Sequence, residues 1–292
     1  MRETNDFDTF LNRAWDDHAG HAAGVAERIA EQGLALVGTA AQVGPLAMLT
    51  HHVFGEHLGQ WAAGRAVLLG LAGHAALDAA GSAAVQRCLA SLDICAGGAH
   101  PLPGLGASDR IRVAAMAAAN LAERDTPRAS ALFQQALAEA EAADLPSADP
   151  MNRALAVTGN NLACTLEEKP ARSAAERVLM IHAAQAARRH WAIAGTWLET
   201  ERAEYRLAMT WVQAGDLAQA RHHAQQCLDI VKVNDGPAIE RFVAWEAIGV
   251  VERAAGSAAG HLQALAQARE AFAALDEGDR GWCRASLDKL AA

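Results

Sequence analysis

The chain has 292 residues, of which 52% are hydrophobic and only 5% aromatic, so its apolar content is largely Ala and Leu. Its formal net charge of −9 argues against nucleic acid as a partner, because phosphate binding requires clustered Lys and Arg. The sequence holds no run of about 18 uninterrupted apolar residues and therefore predicts no transmembrane helix and no membrane partner.

The five cysteines show neither a C-x-x-C pair nor the spacing of zinc ligands. Each lies among helix-forming residues, which suits small buried thiols in a reducing compartment. The first residues are polar and acidic, unlike the basic and apolar start of a secretory signal. We therefore expect a cytoplasmic protein.

The composition favours helices throughout. Ala has the best helix propensity, and the sequence contains no alternating Val/Ile/Thr/Tyr run of strand length. An Ala-rich face buries little area per residue, since each buried methylene contributes only about 0.8 kcal/mol. Such helices must pack closely over long lengths, so we predict an all-α fold of stacked antiparallel helix pairs.

The first part of the chain divides into helical segments at Gly, Pro and Asp. We predict an N-terminal helical region over residues 1–96, with helices near 5–19, 21–37, 43–58, 60–73 and 79–96. Residues 97–107 combine Gly and Pro and predict a loop or linker.

The second part of the chain is more regular. We predict helices near 108–124 and 126–144, then the pairs 149–168 with 171–190, 194–214 with 217–232, and 237–255 with 257–275, and finally 280–290. Together the segments predict about 13–14 helices. Leu162, Leu207 and Ile248 occupy similar places in three successive first helices. The sequence spacings between these three residues indicate stacked helix pairs, which we expect over 108–276. We expect residues 277–292 to form a capping helix.

One stretch, RLAMTWVQAGDLAQARHHAQQCLDI at residues 206–230, has the pattern of a helical hairpin. Gly215-Asp216 predicts the turn, and Leu207 with Trp211 fills the space between the two helices. A strip of small residues at i, i+4 and i+7 on the second helix lets the backbones approach closely. The strip comprises Ala220, Ala224 and Cys227.

This stretch resembles a tetratricopeptide repeat, whose pattern is W-x2-L-G-x2-Y…A-x3-F…P. Leu207-Ala208 stands at the L-G pair and Trp211 at the Tyr. Ala220 stands at the conserved Ala and Ala224 at the Phe, while Lys232 replaces the terminal Pro.

Other segments resemble parts of the same repeat. Trp245-x2-Ile248-Gly249 matches the W-x2-L-G opening, and Ala129-x3-Phe133 matches a second helix. Asn160-Asn161-Leu162-Ala163 resembles the NNLA opening of the longer kinesin light chain repeats. The resemblance covers residues 108–276, and in the N-terminal region only Gly59-Gln60-Trp61-x2-Gly64 is similar. It implies a right-handed α-solenoid whose first helices line a concave groove for a peptide or a partner helix.

The resemblance also implies candidate partner-binding residues. The inward stripe of the 194–214 helix would consist of Leu198, Arg202, Tyr205, Met209 and Val212. On the preceding first helix, Asn160 and Asn161 would bond the backbone of a bound peptide, because an amide both donates and accepts. The alternative stays open that the stripe packs against the next repeat or the N-terminal helices, and that the two amides make structural bonds.

Histidine is concentrated in the first hundred residues, notably in HHVFGEH at 51–57 and in His18-x2-His21. His52 and Glu56 would share a helical face at i, i+4, which is compatible with a metal site. The segment does not match H-E-x-x-H, and nothing in the sequence fixes a third ligand. We therefore predict no metal ligands and no cofactor.

The sequence contains no nucleophile motif and no dinucleotide loop, so we predict no catalytic residues. The leading hypothesis is a non-enzymatic scaffold that binds a protein or peptide partner, with self-association on the same stripe as an open alternative. A second hypothesis is a ligand- or metal-sensing regulatory module whose site lies between the N- and C-terminal parts, near residues 96–110.

Overall fold

The computed structural model describes residues 6–98 and 104–292. Within these ranges the chain is helical, with thirteen α-helices of eleven residues or more and no extended strand, which confirms the all-α prediction. Part of the predicted 97–107 loop, residues 99–103, lies outside the described residues. None of the helices in the described ranges combines the length and apolarity needed to cross a membrane.

The chain forms two compact units, Met1–Leu145 and Pro146–Ala292. Unit 1 begins with α1 (Asp6–Arg28), which kinks at His21, where φ is −140° and ψ is 41°. The kink lies at the break predicted between the segments 5–19 and 21–37. The other elements of unit 1 are a π-helical turn (Ile29–Gly33), α2 (Leu34–Leu36), α3 (Ala40–Thr50), a π-helical segment (His51–His57), α4 (Trp61–Ala72), α5 (Ala79–Cys95), α6 (Ala107–Leu121) and α7 (Thr126–Ala142).

The core of unit 1 is apolar and combines large and small side chains, with Phe7, Ile29, Leu46 and Leu68 almost fully buried. A close helix crossing shapes this core. A Cβ atom added to Gly64 in α4 would lie 2.7 Å from the Cβ atom of Phe54. The π-helical segment His51–His57 is therefore in direct contact with α4, at a position where only glycine fits without a shift.

Unit 2 consists of α8 (Pro150–Glu167), α9 (Ala174–Ala194), α10 (Trp197–Ala214), α11 (Leu217–Val233), α12 (Ala238–Ala254), α13 (Ala258–Ala273) and α14 (Glu277–Ala291). These bounds agree closely with the predicted segments. Consecutive helices pack together: α8 contacts α9, α10 contacts α11, and α12 contacts α13. Between pairs, α9 contacts α10 and α11 contacts α12. The first helices also pack in succession, since α10 contacts both α8 and α12.

Side-chain caps fix where the helices of unit 2 begin. Ser173 and Glu176 form a capping box at α9, and Thr196 and Glu199 form another at α10. Each box pairs backbone N–H groups that the first turn leaves without intrahelical partners. Gly215 has a φ of +84° and ends α10 in the left-handed conformation that glycine adopts without strain, which makes the predicted turn.

Small residues line the helix contacts of unit 2. Ala220, Ala224 and Cys227 are each at most 1% exposed, as the strip predicted from the sequence requires. At the α8–α9 crossing a Cβ atom on Gly159 would lie 2.6 Å from the backbone oxygen of Ala183. The two backbones approach so closely that even a methyl group would not fit there without movement.

Candidate functional site

The stripe predicted on α10 is neither fully covered nor fully open. Leu198, Tyr205, Met209 and Val212 are half-buried, and Arg202 is exposed. Tyr205, Met209 and Val212 lie together against an apolar cluster formed by Ala208, Ala220, Ala224, Ala247 and Val251. Part of the stripe therefore packs against neighbouring helices, while part of its surface remains accessible.

Two polar contacts connect the stripe to α12. Arg202 donates to the carboxylate of Glu240 at 2.6 Å; the Glu240 side chain is 3% exposed, whereas that of Arg202 is 59% exposed. The hydroxyl of Tyr205 donates to Glu246 at 3.4 Å. Burial, reinforced by the nearby charge of Glu246, raises the pKa of Tyr205. Tyr205 therefore takes part in the packing of α10 on α12, while much of the guanidinium of Arg202 faces solvent.

The two candidate amides lie on α8. Asn161 is exposed and Asn160 is half-buried. Asn160 Nδ2 lies 3.3 Å from Asn161 Oδ1 and 3.8 Å from Cys164 Sγ. Within the part of the chain that the structure describes, their side-chain hydrogen bonds stay inside α8, so neither amide is tied to a neighbouring helix.

Buried carboxyl groups lie behind the stripe and were not predicted from the sequence. Glu201, Glu204 and Glu240 are each at most 4% exposed. Glu204 accepts from Arg188 Nε at 2.5 Å and from His223 Nδ1 at 2.7 Å. Burial works against ionisation of Glu204, but these two bonds hold its pKa below the usual value.

The pKa of Glu201 is shifted in the opposite direction. Glu201 Oε1 accepts from the thiol of Cys227 at 2.8 Å. Burial, together with the neighbouring charge of Glu240, raises the pKa of Glu201 to about 8. The protonated form of the carboxyl is therefore favoured well above the pH at which a glutamate ordinarily ionises. Glu204 and Ala208 follow Glu201 at i+3 and i+7. This spacing in the sequence places all three residues on one face of α10, which is buried.

An open cavity of about 430 Å³ lies between α11 and α12. Arg221 and Glu252, which form an ion pair at 2.7 Å, contribute to its lining. The described residues that line this cavity include none of the predicted stripe or amide residues. The cavity therefore gives no support to those assignments.

In unit 1 the structure brings three histidines together. His18 comes from α1, while His52 and His57 come from the π-helical segment. One ring nitrogen from each histidine lies within 4.8 Å of the others. The Nε2 atoms of His52 and His57 are 3.1 Å apart. We call these three side chains the histidine cluster.

The π-helical geometry explains why His57 joins the cluster. A π-helix forms i→i+5 bonds, and Leu58 N donates to Val53 O at 3.1 Å in this way. Residues five apart, such as His52 and His57, therefore come close to one another on one face. An α-helix brings residues four apart together. The i, i+4 spacing in the sequence therefore pairs His52 with Glu56 and does not predict the contact with His57.

His51, also in the π-helical segment, is buried and lies outside the histidine cluster. Its Nε2 lies 2.9 Å from Ser91 Oγ and 3.0 Å from Asn120 Nδ2. Burial lowers the pKa of His51 to about 4, so its ring is neutral and pairs with these two groups. Ser91 and Asn120 are fully buried as well. The trio is therefore a polar group of the core with no access for a substrate, and within it Asn120 Oδ1 has no hydrogen-bond partner among the described residues.

The histidine cluster has defined surroundings. The Trp15 ring centroid lies 5.2 Å from the ring centroids of both His18 and His52. Glu56 lies beside the cluster, with an oxygen 3.1 Å from His52 Nδ1. Burial opposes ionisation of Glu56, but its bond to His52 and the nearby histidine charges hold the pKa of this carboxyl below its usual value.

No protein-family model matches the chain, and no curated protein or solved structure shows significant similarity to it.

Proposed function

We propose that unit 2 is a tetratricopeptide-like array of helix pairs, a right-handed α-solenoid in form, that binds a peptide or a partner helix without catalysing a reaction. The order of packing supports this proposal, because the first helices α8, α10 and α12 contact one another in succession. A preformed receptor of this kind would bind without first having to order its own backbone.

The observation that carries the proposal is the pairing of accessible polar groups with a half-buried apolar stripe on α8 and α10. Asn161 and Arg202 are exposed, while Met209 and Val212 keep part of their surface open. An extended peptide carries backbone N–H and C=O groups that need partners, and an amide side chain supplies both kinds. The guanidinium of Arg202 has five N–H donors, so its bond to Glu240 leaves others for a carboxylate of the partner.

These groups define the partner's chemistry: an extended segment with an acidic side chain and neighbouring apolar residues. We propose that this binding takes place in a reducing compartment such as the cytoplasm, since all five cysteines are free and Cys88, Cys95, Cys227 and Cys283 are buried. In the competing outcome, a second copy of the chain binds to the same stripe. Light scattering over a range of protein concentrations would detect this self-association.

The test is selection of peptides from a random displayed library on the full-length protein, followed by measurement of Kd by fluorescence anisotropy. We expect acidic-apolar peptides to be selected. Arg202→Ala should weaken their binding by about 10–100-fold, because a hydrogen bond to a charged group contributes about 1.5–3 kcal/mol. Asn161→Ala, at an exposed site, should weaken it several-fold without affecting folding.

Arg177→Ala is the matched control, since Arg177 is an exposed arginine on α9, the second helix of its pair. It should leave Kd within about twofold, as surface substitutions away from a contact do. Selected peptides that bind the Asn161, Arg202 and Arg177 variants equally well would refute the assignment. Because Arg202→Ala removes the ion-pair partner of Glu240, circular dichroism is needed to check that this variant stays folded.

A further inference from the structure

We propose that the histidine cluster of unit 1, His18, His52 and His57, binds one divalent transition-metal ion, and that Zn²⁺ is the ion it fits best. This site is separate from the binding face proposed for unit 2. It does not depend on that proposal, because all three ligands belong to α1 and to the π-helical segment.

The distances nearly match a tetrahedral site. Zn–N bonds of about 2.0–2.1 Å place two tetrahedral ligand nitrogens roughly 3.3 Å apart. The Nε2 atoms of His52 and His57 already lie 3.1 Å apart, and the third nitrogen is within 4.8 Å. An inward movement of the third ring would complete the set of three.

Hydrogen bonds to the other ring nitrogens orient two of the ligands. The Nδ1 of His52 faces Glu56 at 3.1 Å, and the Nδ1 of His18 is bonded to the carbonyl oxygen of Trp15. In both rings a proton on Nδ1 leaves the lone pair of Nε2 for a metal. Carboxylate and carbonyl partners of this kind fix the tautomer of metal-binding histidines and increase their basicity as ligands.

The backbone that carries His57 is held in place as well. Arg124, in the turn that follows α6, donates to the carbonyl oxygens of Glu56 and His57, at 2.9 Å in each case. Gly55 allows this close packing, because a Cβ atom there would lie 2.6 Å from Asn120 Oδ1. The π-helical turn that aligns His52 with His57 is therefore imposed by the neighbouring helix, and π-bulges frequently occur at functional sites.

The cluster can be reached from solvent. Its partial exposure gives an ion a route of entry.

The ligand type selects the class of ion. Three imidazoles suit Zn²⁺, Cu²⁺, Ni²⁺ or Fe²⁺, whereas Ca²⁺ and Mg²⁺ prefer sets of oxygen ligands. The carboxylate of Glu56, which lies beside the cluster, is occupied by His52. Three protein ligands leave a fourth tetrahedral position for water or another small ligand.

The experiment is isothermal titration of the tag-free, full-length, chelator-treated protein with ZnCl₂. We expect one ion per chain with a Kd in the micromolar range or below. His18→Ala and His57→Ala should each weaken binding at least tenfold. Glu56→Gln should weaken it about 10–100-fold, as loss of a partner that orients a ligand does. His21→Ala, which removes a neighbouring histidine outside the cluster, should leave Kd within twofold.

A second readout uses Co²⁺, whose visible spectrum distinguishes tetrahedral from octahedral coordination. We expect the tetrahedral spectrum in the wild type and its loss in His57→Gln, a polar replacement at a residue whose ring is partly exposed. Absence of Zn²⁺ binding by the wild type would overturn the proposal. So would one-to-one binding that survives in the His18→Ala/His57→Ala double variant, since the ion would then be held by other residues.

Discussion

Replacing Glu201 by Gln will remove a pH dependence that this buried carboxyl gives to the stability of the protein. The side chain is 0% exposed, and burial together with the Glu240 charge raises its pKa to about 8. The amide of Gln has the shape of the protonated acid. It keeps an oxygen for the thiol of Cys227, which lies 2.8 Å from Glu201 Oε1, and it adds donors for a neighbouring carboxylate.

The direction follows from the raised pKa. Below about pH 4.5 the carboxyl is protonated in both the folded and the unfolded protein, so it adds no pH dependence. Between about 4.5 and 8 the folded protein keeps the proton of Glu201 and the unfolded chain releases it. The free energy of unfolding then falls by about 1.4 kcal/mol per pH unit as pH rises. From about pH 5 to about pH 7 the loss amounts to roughly 3 kcal/mol.

The assay is urea denaturation of the wild type and of Glu201→Gln at several pH values, followed by circular dichroism and tryptophan fluorescence. The variant should gain stability relative to the wild type as pH rises, by roughly 3 kcal/mol between about pH 5 and about pH 7. Glu270→Gln, at an exposed position of α13, controls for loss of charge alone and should show no such trend. A stability difference that stays constant over this range would refute the assignment of a protonated Glu201.

Three further predictions concern packing and thiols. Gly159→Ala should destabilise the protein by about 1–3 kcal/mol by overpacking. Gly281→Ala, which has open space around its Cβ position, should stabilise the protein by about 0.5–1 kcal/mol. Thermal denaturation measures both effects, and equal effects would contradict the close crossing at Gly159. Ala220→Leu, at a fully buried contact, should cost about 1–3 kcal/mol, and unchanged stability would show that the helices do not touch there. Because burial raises the pKa of Cys88 to about 12, this thiol should react with a disulfide reagent only after unfolding, and rapid labelling of the native protein would contradict its burial.

The sequence was sufficient for much of the helical layout because the relevant interactions are local. Gly215-Asp216 predicted the turn after α10, because glycine adopts a positive φ without strain and aspartate caps the following helix. The side chain of Asp216 accepts a hydrogen bond from Gln219 N at the start of α11. The small residues of α11 predicted a close contact for the same kind of reason: their spacing at i, i+4 and i+7 defines one face whatever the partner is.

The histidine cluster and the buried acids depended on contacts that are distant in sequence. The π-helical geometry of residues 51–57 depends on packing around Gly55 and Asn120, and His18 arrives from another helix. Glu204 belongs on a solvent face by residue type and is buried because Arg188 and His223, from two other helices, supply its partners. The local spacing places Glu204 on the same face of α10 as Ala208, but it does not identify the distant partners that keep its carboxylate buried.

The central claim is that the face formed by α8 and α10 binds the partner, and photo-crosslinking tests it most directly. A selected peptide that carries a photoreactive group would be crosslinked to the full-length protein, and the adducts would be located by mass spectrometry. The proposal predicts adducts on residues such as Asn161, Met209 and Val212, which retain accessible surface. Adducts confined to α9, to α13 or to unit 1 would contradict it.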